Sequence, residues 1–219
     1  MCGIFGSLDF TTYDRLFTAN RVRGNFASGS LYVGDDEIYL RKDGSEYTTD
    51  GEHFRCNLFN KNMFLGHTQA PTSSQRDWAA HTTHPFESEE WIVAHNGILE
   101  NYEELKDRWL PKHDNPVDSS IIPALLDMQY VGDEIYCIAE VMGMLKGTFA
   151  CWIYSNRSRT VYLVRSGSTL FCNMENCVFS SISVDDCYVP ADENVIYQLT
   201  KEGITSVGKF EADSPFFII

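Results

Sequence analysis

The spacing of apolar positions changes twice along the chain. Residues 3–8 form a short apolar run that reads as a strand beginning almost at the terminus. Residues 31–33 and 38–40 read as a strand pair around the turn Gly34-Asp35-Asp36. A further strand covers 62–67 and leads into a loop rich in Pro, Ser and Thr from Ala70 to Pro85. The next strand, 91–94, is expected to stop at the turn-forming sequence His95-Asn96-Gly97. Beyond it the period lengthens. Ile98, Tyr102, Leu105 and Trp109 recur at three and four residues, the mark of one apolar helix face. A second helix covers 121–128, with Pro123 tolerated in its first turn. A third starts at the N-cap Asp133, carries Ile135, Ile138, Met142 and Leu145 on one side, and ends at Gly147. Short strands with turn signals then follow at 149–154, 161–164, 169–172, 178–181, 195–199 and 204–207. Strands at both ends and helices in the middle predict an α+β layered architecture. No Pro/Gly/Ser linker divides the 219 residues, so one domain over 1–219 is expected.

Composition narrows the function. With 43% hydrophobic and 13% aromatic residues the chain can bury a large core. A net charge of −14 repels phosphate backbones and anionic membranes, which disfavours nucleic-acid partners and membrane surfaces. No apolar run reaches membrane-spanning length and the start has no signal-peptide pattern, so a cytoplasmic address is expected. Seven cysteines, an odd number, argue for free thiols. Cys151 lies in an apolar run and reads as core. No CxxC pair occurs, Cys172 and Cys177 are poorly spaced, and His81 and His84 lack a matching thiol pair, so neither a metal nor another cofactor is expected.

Chemistry concentrates at position 2. Methionine before a small residue is the usual substrate for removal of the initiator, which would leave residues 2–219 with Cys2 at the amino terminus. Its α-amine, with a reference pKa near 8, could then accept the thiol's own proton. A thiol, with a free pKa of about 8.5, needs little further activation.

The opening Met1-Cys2-Gly3-Ile4-Phe5-Gly6 does not stand alone. Arg23-Gly24 with Ser28-Gly29, Gly66-His67-Thr68 leading to Pro71-Thr72, His84-Pro85, and His95-Asn96-Gly97-Ile98-Leu99-Glu100-Asn101 follow in order. Val117-Asp118-Ser119, Leu145-Lys146-Gly147 with Phe149-Ala150, and Arg165-Ser166-Gly167-Ser168 complete the series. The chain thus resembles, over nearly its whole length, the class II glutamine amidotransferase domains, which are N-terminal nucleophile hydrolases. The resemblance implies a four-layer αββα sandwich of the N-terminal nucleophile hydrolase type. It also implies hydrolysis of the side-chain amide of L-glutamine to glutamate and ammonia through a Cys2 thioester.

Residue by residue, it implies that the Asn96 side chain and the Gly97 N–H stabilise the oxyanion. Asp118 would hold the substrate ammonium, in competition with capping the following helix. Thr72 and His84 would line the pocket, and Arg23 would stand by the nucleophile. One position departs from the family. Where an arginine usually grips the α-carboxylate in a bidentate fork, this chain has Gln69, followed by Ala70 in place of an aromatic residue. Loss of such a contact costs about 1.5–3 kcal/mol of binding. Arg76 is a candidate replacement. Related domains are fused to a synthase that consumes the ammonia, and no such part follows Pro215-Phe216-Phe217-Ile218-Ile219 in this chain. A separate ammonia-accepting synthase subunit or a free amidase is therefore expected. Two alternatives stand beside this reading: a degenerate domain that binds glutamine or a partner without turnover, and an amidase for another amide lacking an α-carboxylate.

Overall fold

Period-two alternation sorts the strands into two antiparallel sheets whose inner faces share one core. A computed structural model describes residues 2–35, 37–43, 61–70 and 79–212. Among these, β1 (Gly3–Ser7), β2 (Ala27–Gly34), β3 (Ile38–Asp43), β4 (Lys61–Gln69), β9 (Phe171–Asn173), β10 (Val178–Ser180) and β11 (Val189–Pro190) make the first sheet, in the order β11-β9-β10-β1-β4-β2-β3. The second sheet runs β13-β12-β8-β7-β6-β5, from β5 (Phe86–Glu87), β6 (Trp91–Leu99), β7 (Gly147–Ser155), β8 (Thr160–Ser166), β12 (Val195–Thr200) and β13 (Gly203–Lys209). Ile4, Leu31 and Leu65 from the first sheet meet Ile92, Ala94, Trp152 and Leu163 from the second, all nearly or fully buried.

Helices cover both outer faces. Helix α1 (Phe10–Asn20) lies on the first sheet, where Tyr13, Leu16 and Phe17 pack against Phe5, Tyr32 and Phe64. On the second sheet lie α2 (Tyr102–Trp109), α3 (Ile121–Gln129) and α4 (Glu134–Met144). Leu105, Leu125, Ile138 and Met142 bury themselves there on Val93, Phe149, Cys151 and Ile153. Each such large side chain taken from water contributes roughly 1.5–3 kcal/mol, so the order of layers is fixed by which face each apolar stripe must hide. The result is a four-layer αββα sandwich.

Two sequence expectations need correction. The first missed α1 altogether. Asp9 caps it, its carboxylate accepting from Thr12 N at 2.7 Å, and Phe10, Tyr13 and Phe17 recur at helical spacing. The second ended β6 too early. The strand continues through His95-Asn96-Gly97 to Leu99, paired in register with β7, including Asn96 with Ala150 and Gly97 with Phe149. Long-range pairing overrides the local turn preference of Asn-Gly, and the helix starts four residues later than Ile98. Gly97 has φ +151°, a backbone state that side-chain-bearing residues rarely adopt. The Asp133 cap is as expected, accepting from Tyr136 N at 3.0 Å.

Candidate active site

Cys2 stands at the head of β1, the strand at the centre of the first sheet, hydrogen-bonded between β10 and β4. Gly3 pairs with Thr68 of β4, so one further register step sets Cys2 opposite Gln69. Ile4 points into the space between the sheets, and alternation turns Cys2 the same way. Both Cys2 and Gln69 are buried.

The outer face of this strand is held by α1. Asn20, fully buried, donates through Nδ2 to Leu16 O and to Ser180 Oγ, each at 2.9 Å. Thr68 Oγ1 donates to Asn20 O at 3.0 Å. Beyond α1 the chain turns back, and Arg23 Nε donates to Cys2 O at 2.6 Å. Burial pulls the Arg23 pKa below its usual value, and the charge interaction with Cys2 opposes that. The turn continues across the end of β4, where Phe26 N donates to Gln69 O at 3.0 Å. Arg23, Cys2 and Gln69 therefore converge from three segments distant in sequence.

The second sheet contributes Asn96. Its neighbour Ala94, two residues earlier on β6, belongs to the core between the sheets, so Asn96 faces the same space. Asn96 Nδ2 donates to Ser181 Oγ at 3.3 Å. That oxygen also accepts from Ile4 N at 2.9 Å, while Ser181 N donates to Ile4 O at 2.8 Å. Ser181 thus clamps Asn96 to the strand that begins beside Cys2. Its role is invisible in the sequence, because its partners lie 177 and 85 residues away.

The remaining candidates sit around this cluster. His84 is buried, its ring stacked on His67 at 4.0 Å between centroids and edge-on to Phe86 at 4.7 Å, so it builds the wall two positions from Gln69 along β4. Asp118 lies beyond the end of β6, with Oδ2 accepting from Leu99 N at 2.9 Å and Oδ1 from Ser119 N at 2.7 Å. The formal cap of the short turn Asp118–Ser120 is Val117, so Asp118 serves two backbone donors instead of acting as N-cap. His95 points away from Asn96, to the helix side, with Nδ1 2.7 Å from Ser119 Oγ. Thr72 and Arg76 lie outside the described residues, as do Met1, Cys56 and the 213–219 tail.

The other described thiols differ in setting. Burial pushes Cys137 and Cys172 up to about 12 and raises Cys151 as well, so these remain protonated and inert. Cys151 is the fully buried core residue expected from its apolar run. Among the described residues, no helix is long and apolar enough to cross a membrane.

The structure is thus a two-sheet sandwich with Cys2 at the head of a central strand, the Arg23 guanidinium on its carbonyl and the Asn96 amide turned into the space between the sheets. A family model described as "glutamine amidotransferase domain" matches residues 74–183, half of the chain, and the chain belongs to that family. Glutamine–fructose-6-phosphate aminotransferase of Thermotoga maritima is 28% identical over 183 residues, covering 78% of this chain and 29% of the relative. The corresponding enzyme of Clostridium tetani is 25% identical over 229 residues, covering 93% and 36%. The chain thus spans about a third of the length of these relatives. Among solved structures, glutamine phosphoribosylpyrophosphate amidotransferase from B. subtilis superposes with a TM-score of 0.79 at 18% identity, covering 97% of this chain and 50% of that one. A glutamine aminotransferase class-II domain protein from Silicibacter pomeroyi gives 0.63 at 14% identity, covering 96% of this chain and 100% of that one. The likeness in fold thus takes in half of one of these chains and the whole of the other.

Proposed function

We propose that this domain hydrolyses the side-chain amide of L-glutamine, with Cys2 as nucleophile once Met1 is removed. The thiol proton passes to the Cys2 α-amine and the thiolate attacks the amide carbon. Asn96 Nδ2, with Gly97 N–H beside it, stabilises the oxyanion. Collapse expels ammonia and leaves a γ-glutamyl thioester, which water resolves to glutamate. Asp118 takes the substrate ammonium, and Thr72 and His84 line the pocket. The ammonia goes to a separate acceptor, a synthase subunit or another part of a longer protein. Residues 1–219 act as one domain in this reading, with no metal or cofactor in the chemistry and a cytoplasmic address.

The observation that carries the reading is the convergence of Arg23 on the Cys2 carbonyl while Ser181 ties Asn96 to the same strand. The test is glutamate release from glutamine by protein whose amino terminus is verified as Cys2, measured against a panel of amides. Absence of release from every amide would favour the degenerate reading. One observation supports the alternative amide: Gln69, uncharged and buried, lies opposite Cys2 where a carboxylate clamp is expected. Faster turnover of an amide lacking the α-carboxylate would select that alternative.

A further inference from the structure

Behind the end of β6 lies a chain of polar contacts that no substrate-touching role accounts for. His95, buried, places Nδ1 2.7 Å from Ser119 Oγ, and Ser119 Oγ donates to Asp118 Oδ1 at 3.1 Å. Ser119 is buried too, whereas Asp118 is half-buried and reaches the surface.

Counting hydrogens sets the direction of the chain. A serine hydroxyl has one proton. If Ser119 gives it to Asp118, then His95 Nδ1 must carry the proton in the 2.7 Å contact. His95 Nε2 then faces Thr148 O at 3.4 Å without a proton, giving up only the long contact that the other tautomer would make there. The opposite tautomer would turn the Ser119 proton towards His95 and strip it from Asp118. Burial lowers the His95 pKa, against the pull of Asp118 and of the Thr148 carbonyl, so the ring is neutral. The other titratable groups around it are His67, whose Nε2 lies 3.2 Å from His95 O, His84 at 6.5 Å between ring centroids, and Cys151, its register partner on β7.

Acceptor capacity gives the chain its consequence. A carboxylate offers about four lone-pair sites. Ser119 N and Ser119 Oγ occupy Oδ1, and Leu99 N occupies one site of Oδ2. One site on Oδ2 is left. We propose that Ser119 and His95 are positioning residues which saturate Asp118 Oδ1 and lock the carboxylate, so that the last site of Oδ2 is presented to a substrate ammonium. The proposal rests on the reading of Asp118 as the ammonium ligand. Neither residue touches substrate.

The test compares glutamine with glutaramic acid, the same amide without the α-amino group. Ser119→Ala is expected to raise KM for glutamine by about ten-fold, the order of one hydrogen bond to a charged group, with kcat little changed. KM for glutaramic acid should not move. Ser119→Thr, which keeps the hydroxyl, should restore the wild-type KM. His95→Gln removes the donor at Nδ1 and should behave like Ser119→Ala, while His95→Asn puts an amide nitrogen near that place and should behave like wild type. A wild-type preference for glutamine that survives both Ser119→Ala and His95→Gln would overturn the relay alone. Equal KM for the two amides in wild-type protein would remove Asp118 from ammonium binding, and the relay with it. Equal losses on both amides in Ser119→Ala would reduce Ser119 to a structural role and overturn the proposal.

Discussion

Gly97 is the residue whose replacement tests the geometry of β6 most directly. A Cβ there would lie 1.9 Å from Thr148 O and 2.8 Å from His95 Nε2, and both atoms belong to packed structure that cannot swing aside. The backbone state at φ +151° adds strain of about 1–3 kcal/mol for a residue other than glycine. Forcing an extra carbon into the packed site costs about another 1–3 kcal/mol. Gly97→Ala is therefore expected to destabilise the domain by about 2–6 kcal/mol. For a domain of this size each kcal/mol lowers Tm by roughly 2–4 °C, so the melting temperature should fall by about 4–24 °C. Circular dichroism melts of wild-type and Gly97→Ala protein read this out. Glutaminase activity at a temperature where the variant is still folded should fall as well, because Asn96 is carried by the same displaced strand. A Tm within about 2 °C of wild type would refute this geometry for β6.

Cys2→Ala should abolish glutamate release without lowering Tm, and a diazoketone analogue of glutamine should label Cys2 while sparing Cys137, Cys151 and Cys172, whose thiols burial holds protonated; mass spectrometry of active enzyme should find no Met1. Arg23→Gln should lower kcat/KM and move the acidic limb of its pH profile to higher pH, since the cation next to the thiolate is lost; an unchanged profile would remove Arg23 from that role. Asn96→Ala should lower kcat by about 10²–10³, the usual effect of losing one oxyanion donor, in single-turnover assays of glutamate release. His95, whose folded pKa is lowered by burial, contributes stability that is present above its unfolded pKa near 6.5 and is lost as pH falls through the folded pKa. The slope is at most about 1.4 kcal/mol per pH unit, so His95→Asn should show a smaller drop in Tm from pH 7 to pH 5 than wild type.

Much of the sandwich was readable because alternation and helical period survive in the residues that face its cores. The three helices of the second sheet and the strands around them come directly from that pattern. Helix α1 was legible and missed: Asp9 is a good cap, and Phe10, Tyr13 and Phe17 keep helical spacing. The end of β6 was not legible. Asn-Gly is turn chemistry locally, and only the register with β7 shows that it lies within a strand. The candidate site divides the same way. Cys2, Arg23 and Asn96 announce themselves through residue type and motif. Ser181 and Ser119 do not, because a lone serine acquires meaning only from partners that the fold brings to it.

Gln69 is where the two kinds of information meet. Its burial means that an arginine in its place would hold a guanidinium largely out of water whenever substrate is absent. Gly24, next to Arg23, packs so tightly on this strand end that a Cβ would lie 2.3 Å from Gln69 C. Arg23 therefore enters the site within a residue of the same spot and bonds to Cys2 O. A second guanidinium at position 69 would stand on the same buried strand end, and like charges in a desolvated space raise each other's cost. An amide at 69 avoids that buried charge in the empty site and, in the proposed reading, gives up a charge-assisted contact to a bound carboxylate. In the proposed reading, the amide at position 69 thus trades affinity for an anionic substrate against a buried charge in the empty site.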